Sequence, residues 1–224
     1  MTCLVLGLTG PSKAGSEIAA DHLVNKHRFL KLSFTQALIG EISLAWDVAP
    51  QLFGDPTTSS HPTLSLRMRK CKNQDFVLWF LEDERGARAY TPPEGWLRLL
   101  DLPLTPERIV RCWHTWRTDQ DSDYYIGQLQ DAIDSHSDHS IVVSDVRAAA
   151  ADQRNAQALF IHRQPVAELW HLDRCGLPQD EIAAGVSSAL IDRYLSHLST
   201  LENLCQLVDL HLDHWQTDVA GRWL

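Results

Sequence analysis

A short apolar run passes directly into a glycine-rich turn and then a helix at the start of the chain, and few folds accommodate that order. Residues 3–8, CLVLGL, are continuously apolar and too short for a buried helix, so they read as a parallel strand covered on both faces. The turn TGPSKAGS follows. From Ser16 to Lys26, the residues Ile18, Ala19, His22 and Leu23 recur at helical spacing. Strand, glycine turn and helix form the first unit of many nucleotide-binding α/β folds.

Downstream, FLKLSF (29–34) alternates and predicts a second strand, with a helix over 37–46 and a loop over 47–65. Residues 66–80 are mixed, and 82–106 carry prolines, glycines and acids that predict an irregular or inserted segment. Thr105-Pro106-Glu107 is a helix start, with Thr as cap and Pro in the first turn. A further helix is expected from 123 to 135. SIVVSD (140–145) reads as a central strand, 146–157 as a helix and ALFIH (158–162) as another strand. The remainder reads as helical over 179–197 and 199–215, the latter opened by a Ser199-x-x-Glu202 capping box. The expectation is a single domain over 1–224, with a lid-like insertion at about 60–125.

The charge of −9 argues against non-specific binding to nucleic acid or acidic membranes. Five scattered cysteines without a C-x-x-C pair argue against a disulfide framework and for a reducing cytoplasm. No apolar run reaches the roughly 18 residues that cross a bilayer, so the expectation is a soluble, cytoplasmic protein without membrane partners.

A working phosphate loop reads G-x-x-x-x-G-K-[ST]; its backbone N–H groups cradle phosphate, its lysine reaches the β/γ-phosphates and its hydroxyl holds Mg²⁺. Here the register is Gly10-Pro11-Ser12-Lys13-Ala14-Gly15-Ser16-Glu17. Both glycines stand in place, Ser16 takes the lysine position, and Glu17 takes that of the metal hydroxyl. Lys13 could swing its ammonium to the phosphate, and Ser12 or Ser16 could supply a hydroxyl. Glu17 either repels a triphosphate or simply complements the helix dipole.

Other stretches carry a resemblance. In Asp21–Phe34, the turn Lys26-His27-Arg28-Phe29 and the strand end Ser33-Phe34 resemble the segment after the phosphate loop in bacteriophage-type deoxynucleoside monophosphate kinases. The lysine that follows in that family is replaced by Gly40. Val142–Arg147 is similar to the family's V-V-x-D-V-R, Phe160–Pro165 to its later strand ending in R-x-P, and Ala189–Leu204 to its C-terminal close. The resemblance covers about two-thirds of the chain and is weakest over 60–125. It implies a three-layer α/β P-loop nucleotide-kinase fold with a parallel central sheet. It also implies ATP or another nucleoside triphosphate with Mg²⁺, nucleotide substrates, and a homodimer in some relatives.

On that reading Gly10, Ser12, Lys13, Gly15 and Ser16 bind nucleotide, and Lys13, Asp145, Arg147 and Arg163 are the catalytic candidates. Asp145 would bear on magnesium or stand as a plain strand-end carboxylate. The arginines would pair with phosphates, as could Arg108, Arg111 and Arg117, unless they form a solvated helix face. Trp113 and Trp116 could stack a base or pack in a core. The pairs His136/His139 and His211/His214 have a spacing seen at metal sites, but no further ligands accompany them in sequence, so no metal site is expected. With three customary charge or metal contacts missing, an alternative is a catalytically inactive relative that binds a nucleotide or a protein partner in a regulatory role. A kinase acting on a modified nucleotide or on one within DNA is a third reading, the acidic charge disfavouring DNA.

Overall fold

The computed structural model describes residues 3–11, 13–54, 59–87, 98–147, 155–175, 186–197 and 200–221. The chain divides into two compact units, Met1–Phe34 with Gln128–Leu224, and Thr35–Gly127.

The first unit is built on a five-stranded sheet. Its strands are β1 (Val5–Thr9), β2 (Leu30–Leu32), β3 (Ile141–Val143), β4 (Ala167–Arg174) and β5 (Arg193–His197). Their order is β2-β3-β1-β4-β5, and every pair is parallel. Helix α1 (Ser16–His27) and the C-terminal helix, numbered α7 below (Leu201–Gly221), cover one face. Leu4, Leu6, Leu8, Ala19, Leu23, Trp170, Leu172, Leu195, Leu204, Val208, Leu212 and Trp215 share its buried core. The alternation of side chains along β1 turns Gly7 to the opposite face, where a Cβ would lie 2.8 Å from Leu169 Cδ1 and 3.1 Å from Ile161 Cγ1. Ile161 belongs to helix α6 (Ala156–His162), which therefore packs closely on that face. The result is a three-layer α/β fold with an all-parallel central sheet.

The second unit is helical. It contains most of α2 (Phe34–Trp46), then α3 (Gln74–Ala87), α4 (Pro106–Gln120) and the start of α5 (Tyr124–Ser135). Its core is aromatic: Phe76 lies 4.7 Å from Trp113 and 5.3 Å from Trp116, and Trp46 packs edge-on against Phe76. Glu41 accepts from Trp113 Nε1 (2.8 Å), Arg117 Nε (3.0 Å) and Tyr124 Oη (2.5 Å). Trp113 and Trp116 are thus core residues and not a base-stacking platform.

Several local expectations change. ALFIH is the body of helix α6, not a strand; a five-residue apolar run suits either, and its packing decides. The strand of this region is the next segment, AELWHLDR, and RYLSH (193–197), read as helix, is edge strand β5. Of the helices expected over 146–157 and 179–197, residues 148–154 and 179–185 lie outside the described set. Phe34 opens α2 instead of closing β2. Helix α3 runs to Ala87, so residues 82–87 are helical where an irregular segment was expected; residues 88–97 of that segment lie outside the described residues. Thr105 caps α4 as expected, accepting from Arg108 N–H. At α7 it is Thr200 that accepts from Asn203 N–H; Ser199 lies outside the described residues.

His211 is pressed edge-on against the buried Trp170 with ring centroids 6.0 Å apart. Its buried Nδ1 has no hydrogen-bond partner. Burial, then the charges of Arg193 and His214, lower its pKa against an opposing pull from Glu168. Burial likewise lowers that of His171, opposed by Asp173. A depressed folded-state pKa means that the unfolded chain takes the proton first, so stability present above about pH 6.5 declines as pH falls below it. Urea denaturation between about pH 8 and about pH 5 should show this decline, and His211→Leu should flatten part of the slope.

Candidate functional site: the loop between β1 and α1

The site follows from the end of β1. Consecutive strands diverge to opposite sides of the β1–β3 pair, which makes the C-terminal ends of these two strands the switch point where open α/β sheets bind ligands. The chain leaves β1 at Gly10, whose φ is +152°. A Cβ there would stand 2.3 Å from the Leu172 carbonyl oxygen, so only glycine lets the loop pass so close to β4. The loop then tightens: Ala14 N–H donates to Pro11 O (3.1 Å), and Lys13 takes φ +70°. Gly15, at φ +100°, stands at the helix N-cap position. A side chain there would meet Leu204 Cδ2 at 2.7 Å.

Gly15 gives the N-terminus of α1 no side-chain cap, and none is seen among the described residues. Its first-turn N–H groups have no partner within the helix and carry its partial positive charge, an arrangement that suits a phosphate oxygen. Lys13 is exposed on the loop and Ser16 is the first helical residue. Ser12 lies outside the described residues. The loop is pinned from β5: His197 Nε2 donates to Ala14 O (2.8 Å), with both residues buried.

Glu17 has a defined place. Its carboxylate bonds to the Lys31 ammonium and accepts from Ser144 Oγ (2.8 Å). Lys31 also reaches Asp21 (2.8 Å). Burial pulls against the charged form of Lys31, yet the bonds to Asp21 and Glu17 raise its pKa above the ordinary lysine value, so it stays an ammonium. Where a hydroxyl would hold a metal, this chain places a carboxylate already bonded to a cation.

Asp145, directly after Ser144, accepts from Ser33 Oγ (2.8 Å) and from Phe34 N–H (2.9 Å), tying the end of β3 to the start of α2. Arg147 is exposed, and its N–H donates to Gln157 (2.8 Å). The loop, Glu17 and Asp145 thus gather at the ends of β1 and β3. Arg163 is not brought there. It closes α6 before β4 begins, which puts it at the edge of the sheet where the parallel strands start. In the other unit Arg117 is engaged by Glu41, and Arg108 lies over the Phe80 ring at 5.6 Å.

Sequence reasoning missed Lys31, Ser144 and His197. Glu17 in the hydroxyl position was the available signal for a compensating cation. Nothing local marks Ser144 or His197, whose bonds span 127 and 183 residues.

No protein-family model and no curated protein matches the chain. Among solved structures, an unliganded sugar kinase from Janibacter sp. HTCC2649 is similar at 14% identity and a TM-score of 0.37, over 97% of this chain and 95% of that one. No helix among the described residues is long and apolar enough to cross a membrane.

Replacing His197 by phenylalanine keeps an aromatic ring but leaves the Ala14 carbonyl buried without its donor. The variant should lose roughly 1–3 kcal/mol in urea denaturation. It should also bind inorganic pyrophosphate more weakly than the native chain in calorimetry.

Proposed function

We propose that the chain is a nucleotide phosphotransferase of the (deoxy)nucleoside monophosphate kinase kind, working through a variant phosphate loop. The supporting observation is the uncapped N-terminus of α1, presented at the end of the central strand by a glycine turn that no other residue fits. Gly10, Gly15 and the amides of the loop and of Ser16 would hold the phosphates of a nucleoside triphosphate. Lys13 would supply the ammonium missing from position 16, and Arg147 would meet the acceptor's phosphate. Catalysis of this kind is positioning and charge stabilisation, with no covalent intermediate on the protein.

Magnesium, if used, meets an uneven set of groups. The Asp145 carboxylate is an oxygen donor of the type Mg²⁺ takes, and it is the residue that would hold the ion. Glu17 does not fit that task, because it is bonded to Lys31. The ion would neutralise charge developing on the phosphates.

The bond from Glu17 to Lys31 also favours a second reading, a non-catalytic relative that binds nucleotide or a protein partner in a regulatory role. A fixed ammonium cannot follow the transferring phosphate as a mobile metal–triphosphate complex does. Losing one preorganised electrostatic contact commonly costs 10²–10³ in rate.

A phosphoryl-transfer screen separates these readings. ATP and Mg²⁺ are offered with each common ribo- and deoxynucleoside monophosphate, with Lys13→Ala alongside, and ATP binding is measured with Mg²⁺ and with EDTA. The proposal expects turnover with one acceptor class, lost in Lys13→Ala. Binding without turnover, equal in EDTA and lost in the variant, would establish the non-catalytic reading. Neither binding nor turnover would overturn both.

A further inference from the structure

Away from the loop, the opposite end of α1 carries a cluster that phosphate chemistry does not use. His22 Nε2 lies 2.8 Å and His27 Nε2 2.7 Å from the same oxygen, Oδ1 of Asp209 on α7. The other carboxylate oxygen, Oδ2, accepts from Lys26 Nζ at 2.6 Å. One potential ligand atom from each of His22, His27 and Asp209 falls within a 4.8 Å span. The two imidazoles are edge-on, with centroids 5.9 Å apart, so their nitrogens converge instead of stacking. The three side chains are partly buried, at 18–22% exposure, so water can reach the cluster while the ligands stay ordered.

We propose that His22, His27 and Asp209 form a site for a divalent transition-metal cation of the zinc class. Two imidazole nitrogens and one carboxylate oxygen are a donor set that zinc accepts, with a fourth position open to water. Tetrahedral zinc with bonds of about 2.0–2.1 Å sets its ligand atoms roughly 3.3 Å apart. The present nitrogen–oxygen separations, 2.8 and 2.7 Å, therefore need to open by only about half an ångström. Side-chain rotation supplies that without moving either helix. The lysine bond occupies Oδ2 and leaves Oδ1 facing the two imidazoles, while the ammonium itself repels a cation bound there. The location also suits a cation, because His22 and His27 stand in the C-terminal half of α1, where the helix end is partially negative.

The hydrogen-bonded arrangement alone offers a competing account, in which Asp209 is simply an acceptor shared by three donors. Burial pushes its pKa up, but the bonds from Lys26, His27 and His22 win and hold it well below the usual carboxylate range. A shared acceptor needs the neighbouring ammonium; a metal site gains from its removal. That contrast gives the test its sign.

The full chain is treated with EDTA, freed of chelator, and titrated with Zn²⁺ by calorimetry and with Co²⁺ by visible absorption. The expected result is one saturable equivalent and a four-coordinate cobalt band that zinc displaces. His22→Gln and His27→Gln should each weaken binding by more than about 100-fold while retaining the native circular dichroism. Lys26→Met should bind zinc at least as tightly as the native chain. No saturable binding would overturn the proposal. So would binding unchanged in the histidine variants, which would place the ion on other histidines. Weaker binding in Lys26→Met would also overturn it, identifying the cluster as an ion-pair network.

Discussion

Everything at the loop depends on how little room the sheet leaves at the end of β1. The strand is enclosed by β3 and β4 and covered on both faces, so the chain can escape only along the Leu172 carbonyl, and Gly10 is the residue that fits there. That exit fixes where α1 begins. Gly15 lies against Leu204 of α7, and His197 holds the Ala14 carbonyl from β5. The loop is therefore shaped by β4, β5 and α7 together, elements supplied by the last third of the sequence. Its backbone donors are preorganised by packing rather than by contact with a ligand.

This dependence explains what could be read in the sequence. Strand β1, the glycine turn and α1 are encoded locally, in an apolar run, two glycines and a helical period. The same is true of Thr105-Pro106, where cap and first-turn proline lie side by side, and of the β-branched β3. Strands β4 and β5 were not legible. AELWHLDR carries charged residues because Glu168 pairs across to Arg193 (2.6 and 2.9 Å). RYLSH is an edge strand that mixes exposed and buried positions. Without those pairings in view, polar residues in a strand resemble the exposed face of a helix.

The contacts that define the candidate site were hidden for a related reason. Glu17 with Ser144 and His197 with Ala14 join segments more than a hundred residues apart, and one sequence carries no record of which distant residues meet. The cluster at Asp209 is similar: its bond from His22 spans 187 residues. His22 and His27 are five apart, a spacing that does not place two side chains on one helix face. They meet because His27 ends the helix and both side chains reach across to α7. The histidine pairs that did stand out by spacing, His136/His139 and His211/His214, were conspicuous only because three-residue spacing is a local pattern.

The charges around the N-terminal half of α1 bear on what the loop can hold. Glu17 and Asp21 are matched by Lys31, and Lys13 adds an exposed ammonium, so these four groups balance before a ligand arrives. A conventional phosphate loop instead offers its lysine and a divalent ion, both of the sign that a triphosphate needs. On the function proposed above, the attraction here would rest on the backbone N–H groups and on Lys13. Such donors recognise a phosphate's oxygens by geometry, and added negative charge on the ligand strengthens them less than it would a site with a bound dication. Glu17 meanwhile complements the positive helix end itself, taking part of the interaction that a bound phosphate would otherwise have. The arrangement is thus suited to holding one phosphate group in place more than to gripping a highly charged tail. Any transfer from a triphosphate must draw its remaining charge compensation from the ion that arrives with the nucleotide.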